Sequence, residues 1–226
     1  MNNNYSVIIL IIASDHIDNY VKMQQIWKLY MNTHPHIKSF FIKENNQLTV
    51  PLLVDEDNDT IYVKCEASLA PGVLIKTIKS FEYIYENYNF KYIYRTNLSS
   101  FLDLHKLYTF SQSHSFQYGG IIGTHTNIKF ASGSGFFVSK DCVNYLINNK
   151  NIDYYTYLDD VELGKTLSQV YQITFVNRTG FTDFDTKQIK DSDIIESSTF
   201  HFRCKNEMDW SKTVYNLQKM YELIYL

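Results

Sequence analysis

At 226 residues, with 45% hydrophobic and 20% charged residues, the chain is long enough for a sizeable core and too apolar to be intrinsically disordered. A formal net charge of −3, with no basic run, excludes a general nucleic-acid binder. The cysteines, Cys65, Cys142 and Cys204, are odd in number, far apart and without zinc spacing, which points to reduced thiols in a cytoplasmic protein.

The first apolar run, YSVIILIIAS, is too short to span a bilayer and lacks a basic leader and a small-residue cleavage site. Its β-branched content, apolar on both faces, predicts a buried strand over Tyr5–Ala13. Tyr20, Met23, Ile26, Trp27 and Tyr30 follow at helical spacing, with Ser14 or Asp15 as the cap. IKSFFIK is a second strand closing a βαβ unit; a polar connection, an acidic turn from Asp55 to Asp59 and a short strand IYVK come next. Pro71-Gly72 opens the amphipathic helix VLIKTIKSFEYIYENY, which leads into the strand KYIYR. FLDLHKLYTFSQS is a helix and QYGGIIGTH a strand. IKFASGSGFFVSKDCVNYLINN gives a Gly-rich turn, a short strand and a helix begun at Ser139 or Lys140-Asp141. YLDDVELGKTLSQV is a loop entering a helix, QITFVN a late strand, and WSKTVYNLQKMYELIYL a final helix. Strands alternating with helices predict an α/β sandwich on a mainly parallel sheet, and the lack of a linker-like segment predicts one domain over residues 1–226.

In open parallel sheets, ligands sit beyond the carboxyl ends of the strands. Topology brings two stretches there: IIASD after the first strand and YRTNLSS after KYIY. The second contains no carboxylate, and a helix start capped by Ser99 or Ser100 accounts for it as well as a site does. ASGSGFF reads as a Gly-containing turn, or as backbone left bare at Gly133 and Gly135, around Ser134, for close approach of a sugar or acceptor. No Gly-Lys-Ser/Thr follows, so it is not a phosphate-binding P-loop. TFHFRCKN gathers His201, Arg203 and Lys205 within a few residues; the two cations suit phosphate. Lys76 lies on an amphipathic helix, where a lysine faces solvent unless it serves a diphosphate or an ion pair. Other acidic groups are Asp55 to Asp59, a solvated turn, and Asp183, Asp185, Asp191 and Asp193, in a long polar loop suited to a lid.

Four blocks in order resemble the fringe-like β-1,3-glycosyltransferases: SLAPGVLIKTIKSFEYI, FKYIYRTNLSSF, FASGSGFFVSKDCVNYL and DDVELGKTL, covering about Ser68 to Leu167. The overall texture is similar to glycosyltransferase-like proteins of large DNA viruses. The resemblance implies a single-domain nucleotide-diphospho-sugar transferase (GT-A) fold and a nucleotide-diphosphate sugar donor, UDP-linked by expectation. It implies that Asp160, the second acid of LDDVELG, is the general base of an inverting transfer to a glycan or other hydroxyl acceptor, beside Asp159. It implies nucleotide contacts at Ala13, Ser14 and Asp15, at Lys76, and at Arg95, Thr96, Asn97 and Ser99. It also implies a metal-holding role for His201. The family's metal-binding acid pair, however, falls on Asn97 and Ser99 here. Neutral oxygens hold Mn²⁺ or Mg²⁺ poorly, so weak or absent metal dependence is expected, with Arg and Lys as the alternative partners of the diphosphate. A sugar-binding module of the same fold without turnover is the rival reading. A nucleotidyltransferase is a second, although ASDHIDN lacks the Gly-rich basic loop such enzymes carry.

Overall fold

Strand β1 (Asn4–Ile12) carries five consecutive apolar residues, Val7 to Ile11, without exposed surface. A strand apolar on both faces needs a packed layer on each side. The computed structural model, which describes residues 4–149, 151–180, 191–206 and 208–226, provides both. β1 pairs in parallel with β2 (Ile37–Glu44) and β5 (Asn89–Asn97). Beyond β2 lie the parallel β4 (Thr60–Val63) and the antiparallel edge strand β3 (Leu52–Asp55). Beyond β5 lie the antiparallel β8 (Ile128–Ser139), then β7 (Tyr118–His125) and β9 (Ile173–Phe175). The order is β3-β4-β2-β1-β5-β8-β7-β9.

Alternation along β1 divides the core. Val7, Ile9 and Ile11 meet residues of α1 (Asp18–Tyr30), α3 (Leu104–Ser113) and α7 (Trp210–Tyr225). Ile8 and Leu10 meet residues of α2 (Gly72–Asn87), α4 (Lys140–Asn148) and α5 (Asp159–Leu167). A short helix, α6 (Asp191–Glu196), adds Ile194 to the first core. A small second sheet, β10-β11-β6, joins β6 (Ser100–Leu102) to β11 (His201–Arg203) and β10 (Thr179–Gly180). This is the expected α/β architecture on a mainly parallel sheet. Among the described residues no helix is long and apolar enough to cross a membrane, and the three cysteines are buried, unpaired thiols.

Three local expectations need correction. ASGSGFF is not a turn before a short strand, because it lies inside the twelve-residue β8. Its glycines mark a bulge: Gly120 faces Phe136 and Ile122 faces Ala131, so residues 132–135 lie opposite Ile121 alone. The stretch after Arg95 is not a helix cap, because Ser100 already belongs to β6 and α3 is capped by Asp103, whose side chain accepts from the Lys106 N–H at 3.0 Å. Nor does Ser14 or Asp15 cap α1, which begins at Asp18 behind Ile17. The acidic run Asp55 to Asp59 is the turn of the β3–β4 hairpin, where Asp55 bonds Asn58.

Candidate functional site

The parallel strands β1, β2 and β5 end at one edge of the sheet, at Ile12, Glu44 and Asn97. Antiparallel β8 brings its bulge to the same edge, because Thr96 pairs with Gly135. The Thr96 hydroxyl donates to the Ser134 carbonyl at 2.7 Å and the Ser100 hydroxyl does so at 3.1 Å, which fixes the bulge against the end of β5.

Arg95 is buried and points across this junction. Its guanidinium donates to the Gly133 carbonyl and to Asp159, and its carbon lies 5.6 Å from the centre of the Phe136 ring. Asp159 and Asp160 open α5 behind Leu158 and take different partners. Asp159 is buried on Arg95; burial pushes its carboxyl up, Arg95 pulls it back down, and neighbouring Asp160 adds to the rise. Asp160 is half-buried, and its Oδ2 accepts the Gly133 N–H at 2.6 Å while Oδ1 accepts the Val161 N–H at 2.9 Å. A Cβ on Gly133 would lie 2.9 Å from Arg95 Nη1 and 3.0 Å from Asp160 Oδ2. At Gly135 it would overlap the Tyr94 hydroxyl and the His201 ring. The close approach at these two glycines is made by the chain's own side chains.

Asn97 extends the construction. Its Nδ2 donates to the Gly133 carbonyl at 3.3 Å, and its Oδ1 accepts from Ser99 at 3.2 Å and from Arg203 Nη1. Arg203 reaches it because β11 pairs antiparallel with β6, setting Arg203 opposite Ser100; the same Nη1 also donates to the Ser99 hydroxyl. His201, two residues earlier on β11, is 1% exposed and bonded through Nδ1 to the Tyr94 hydroxyl at 2.6 Å, while its Nε2 has no partner among the described residues. Burial holds its imidazole well below the usual histidine range, and the charges of Arg178 and Arg203 act the same way. Lys205 lies with Nζ 6.0 Å from the centre of the Trp210 ring.

The loop after β1 forms a neighbouring cluster. Lys76 is buried rather than solvent-facing; its ammonium donates to the Ala13 carbonyl at 3.0 Å and pairs with Glu44. Gln24 donates to the Ser14 carbonyl and to Asp15, both at 3.0 Å, and Lys43 pairs with Asp15 at 2.8 Å. Burial works to raise the Asp15 carboxyl, but Lys43 and Gln24 outweigh it and the net shift is downward. Glu44, Lys43 and Tyr94 escaped the sequence reading. For Glu44 a signal existed, since an acid closing the second parallel strand falls on the ligand edge. Asp191 pairs with Lys219 at 2.8 Å, away from this edge's residues. Asp183 and Asp185 lie outside the described residues, as does the side chain of Asp193.

Arg95, Asn97, Ser99, Gly133, Ser134, Asp159, Asp160 and Arg203 thus share one connected hydrogen-bond network at the strand ends. Ala13, Ser14, Asp15 and Lys76 form a second cluster at the same edge. No family profile matches the sequence, and no curated protein matches it. Solved structures do match. A glycosyltransferase involved in the glycosylation of the major capsid of PBCV-1 superposes with a TM-score of 0.54 at 9% identity, over 95% of this chain and 99% of that one. The inositol-1-phosphate CTP transferase from T. maritima superposes with a TM-score of 0.53 at 8% identity, over the whole of both chains. The chain therefore has the nucleotide-diphospho-sugar transferase fold, in which glycosyltransferases and nucleotidyltransferases are both built.

Proposed function

We propose that the chain is an inverting glycosyltransferase that moves a sugar from a nucleotide-diphosphate donor, UDP-linked, to a hydroxyl of a glycan or other acceptor. On this reading all 226 residues form one catalytic domain of a cytoplasmic protein, and the sequence texture supports a large DNA virus as its source. The observation that carries the reading is a relay: Asp160 accepts from the Gly133 N–H, the Gly133 carbonyl accepts from Asn97, and Asn97 accepts from Arg203. Through two residues of backbone and amide it holds a half-buried carboxylate and a guanidinium at fixed separation on the ligand edge.

Single displacement at an anomeric carbon needs such a pair. An acceptor hydroxyl is a poor nucleophile at neutral pH and must lose its proton as it attacks. Asp160 takes that proton while the acceptor oxygen bonds to the anomeric carbon. The bond from that carbon to the diphosphate oxygen breaks, and its electron pair leaves with the phosphate. The growing negative charge is met by cations, with Arg203 and Lys205 in reach of the strand ends. Asp159, occupied by Arg95, positions its neighbour rather than reacting. The nucleoside lies against Ala13, Ser14 and the end of β5, and the acceptor beside the half-buried part of the bulge at Gly133. The fringe-like resemblance of the four blocks supports the same assignment.

Asp160→Asn keeps the shape and removes the base; its single carbonyl oxygen retains one of the two N–H bonds that Asp160 accepts. Transfer from a UDP-sugar should fall about 10²- to 10⁴-fold with UDP affinity retained. Tight UDP-sugar binding without turnover in the wild type would make the chain a binding module. Formation of a nucleotide sugar from CTP or UTP and a sugar phosphate would make it a nucleotidyltransferase.

A further inference from the structure

Helix α4 turns Cys142, Val143 and Leu146 into the core, so helical spacing gathers Asp141, Asn144, Tyr145 and Asn148 on its opposite side. Asn149 and Asn151 prolong this polar stripe past the end of the helix. Tyr171 closes the other side; its N–H donates to the Leu167 carbonyl at 2.8 Å, just beyond α5. Its ring meets the Tyr145 ring edge-on, with centroids 6.0 Å apart and planes at 88°. Together these side chains line a groove of about 710 Å³. That lies inside the range of roughly 300–1,000 Å³ over which proteins hold small molecules. Asp160 opens α5 and Tyr171 follows its far end, so the groove is separate from the network at the strand ends.

The described lining holds four amides, two phenols and one carboxylate, and no cation. A phosphate or sulfate ligand finds no counter-charge there. A hard cation fits no better, since Asp141 is the one acid and such ions favour several charged oxygens. Among the described residues no three His, Cys, Asp or Glu side chains come together as metal ligands would. An amide sets donors beside an acceptor, which matches two neighbouring hydroxyls, and a phenol offers an apolar ring with a polar tip. Two of the amides are already oriented. Asn148 Nδ2 donates to the Asn144 carbonyl and to Asn144 Oδ1, both at 2.9 Å. Asn144 Nδ2 and Asn148 Oδ1 are left without a partner among the described residues. Asn149 Oδ1 accepts the Asn151 N–H at 2.8 Å, which shapes the end of the stripe. We infer that the groove is a second saccharide site: its amides bond the hydroxyls of a neutral glycan, and its tyrosine pair takes the C–H face of a pyranose. The inference goes beyond the transferase reading and holds equally for a binding module. In a transferase the groove anchors a part of the glycan acceptor that does not react.

Amide NMR spectra of the full chain should be followed as maltotriose, cellotriose or chitotriose is added, with UDP and inorganic phosphate as anionic controls. At least one trisaccharide should shift the signals of Asn144, Asn148 and Tyr171, with a Kd on the order of 1 mM. UDP and phosphate should leave those signals unmoved. Asn144→Ala together with Asn148→Ala should weaken that trisaccharide by about 5- to 50-fold, as the loss of two hydrogen-bonding amides does, and leave UDP binding unchanged. Both residues are exposed, and unaltered signals from β1 and β5 would show that the variant keeps its fold. Trisaccharide shifts confined to Gly133 and Asp160 would assign the sugar to the strand ends and overturn the inference. So would the absence of groove shifts with all of the sugars, or phosphate shifting the groove as strongly as they do. Groove binding in a chain that transfers from no UDP-sugar would remove the transferase reading and leave this inference standing.

Discussion

His201 is a neutral imidazole held in place by Tyr94 and walled in against Gly135, and that confinement has a pH signature. In the unfolded chain a histidine takes up a proton near pH 6.5, whereas burial keeps the folded one neutral to much lower pH. Below about pH 6.5 the unfolded state therefore binds the extra proton, and stability falls as pH falls, by up to about 1.4 kcal/mol per pH unit. His201→Asn, which can still bond Tyr94, should flatten the loss between pH 6.5 and 5 by that amount in urea unfolding. An unchanged slope would mean that His201 is not buried and neutral. Which single residues the sequence revealed follows from what their patterns encode. Asp160 and Asn97 were singled out because their blocks come in a recognisable order along the chain, and Arg203 because TFHFRCKN gathers a histidine and two cations within a few residues. Glu44 was passed over although it closes the second parallel strand, and the burial of the candidate Lys76 was not foreseen, because a lysine on an amphipathic helix looks the same whether its ammonium meets water or a carboxylate.

Between elements, the Arg95–Asp159 pair is the bolt that fixes the start of α5 to the end of β5. Both partners are buried, so removing one strands the other's charge. Arg95→Met should destabilise the chain by about 3–5 kcal/mol, measured from denaturant unfolding, and should disturb Asp160 through the shift of α5. Adding Asp159→Leu, which removes the stranded charge, should recover much of the stability without recovering transfer. The patterned elements β1, α1 and α2 were plain from apolar spacing. Glycines misled the reading at β8: Gly133 and Gly135 look like a turn, yet their missing side chains make room for Arg95, Asp160, Tyr94 and His201 inside a strand. The three-residue strands β6 and β11 carry too little periodicity to be seen, and their pairing, which delivers Arg203, is a long-range event without a local signal.

At the scale of the molecule, β8 pairs antiparallel with central β5, and it binds the parallel half of the sheet to β7 and β9. Along it Phe137 enters one core while Phe136 and Val138 enter the other. The strand pairs with β5 over Gly135 to Ser139, and with β7 on both sides of the bulge, over Ile128 to Ala131 and Phe136 to Val138. The bulge at residues 132–135 separates the two stretches paired with β7, and its Gly135 pairs with Thr96 of β5. It works as an expansion joint. One glycine inserted between Gly133 and Ser134 should only enlarge the joint and lower Tm by a few degrees. The same insertion between Phe137 and Val138 should exchange the two cores' side chains and prevent folding. Comparable losses from both insertions would show the bulge to be as rigid as the strand. An expansion joint beside the ligand edge lets the wall of the site change length while the sheet behind it keeps its register, so substrate preference can drift in descendants of this chain without the fold being renegotiated.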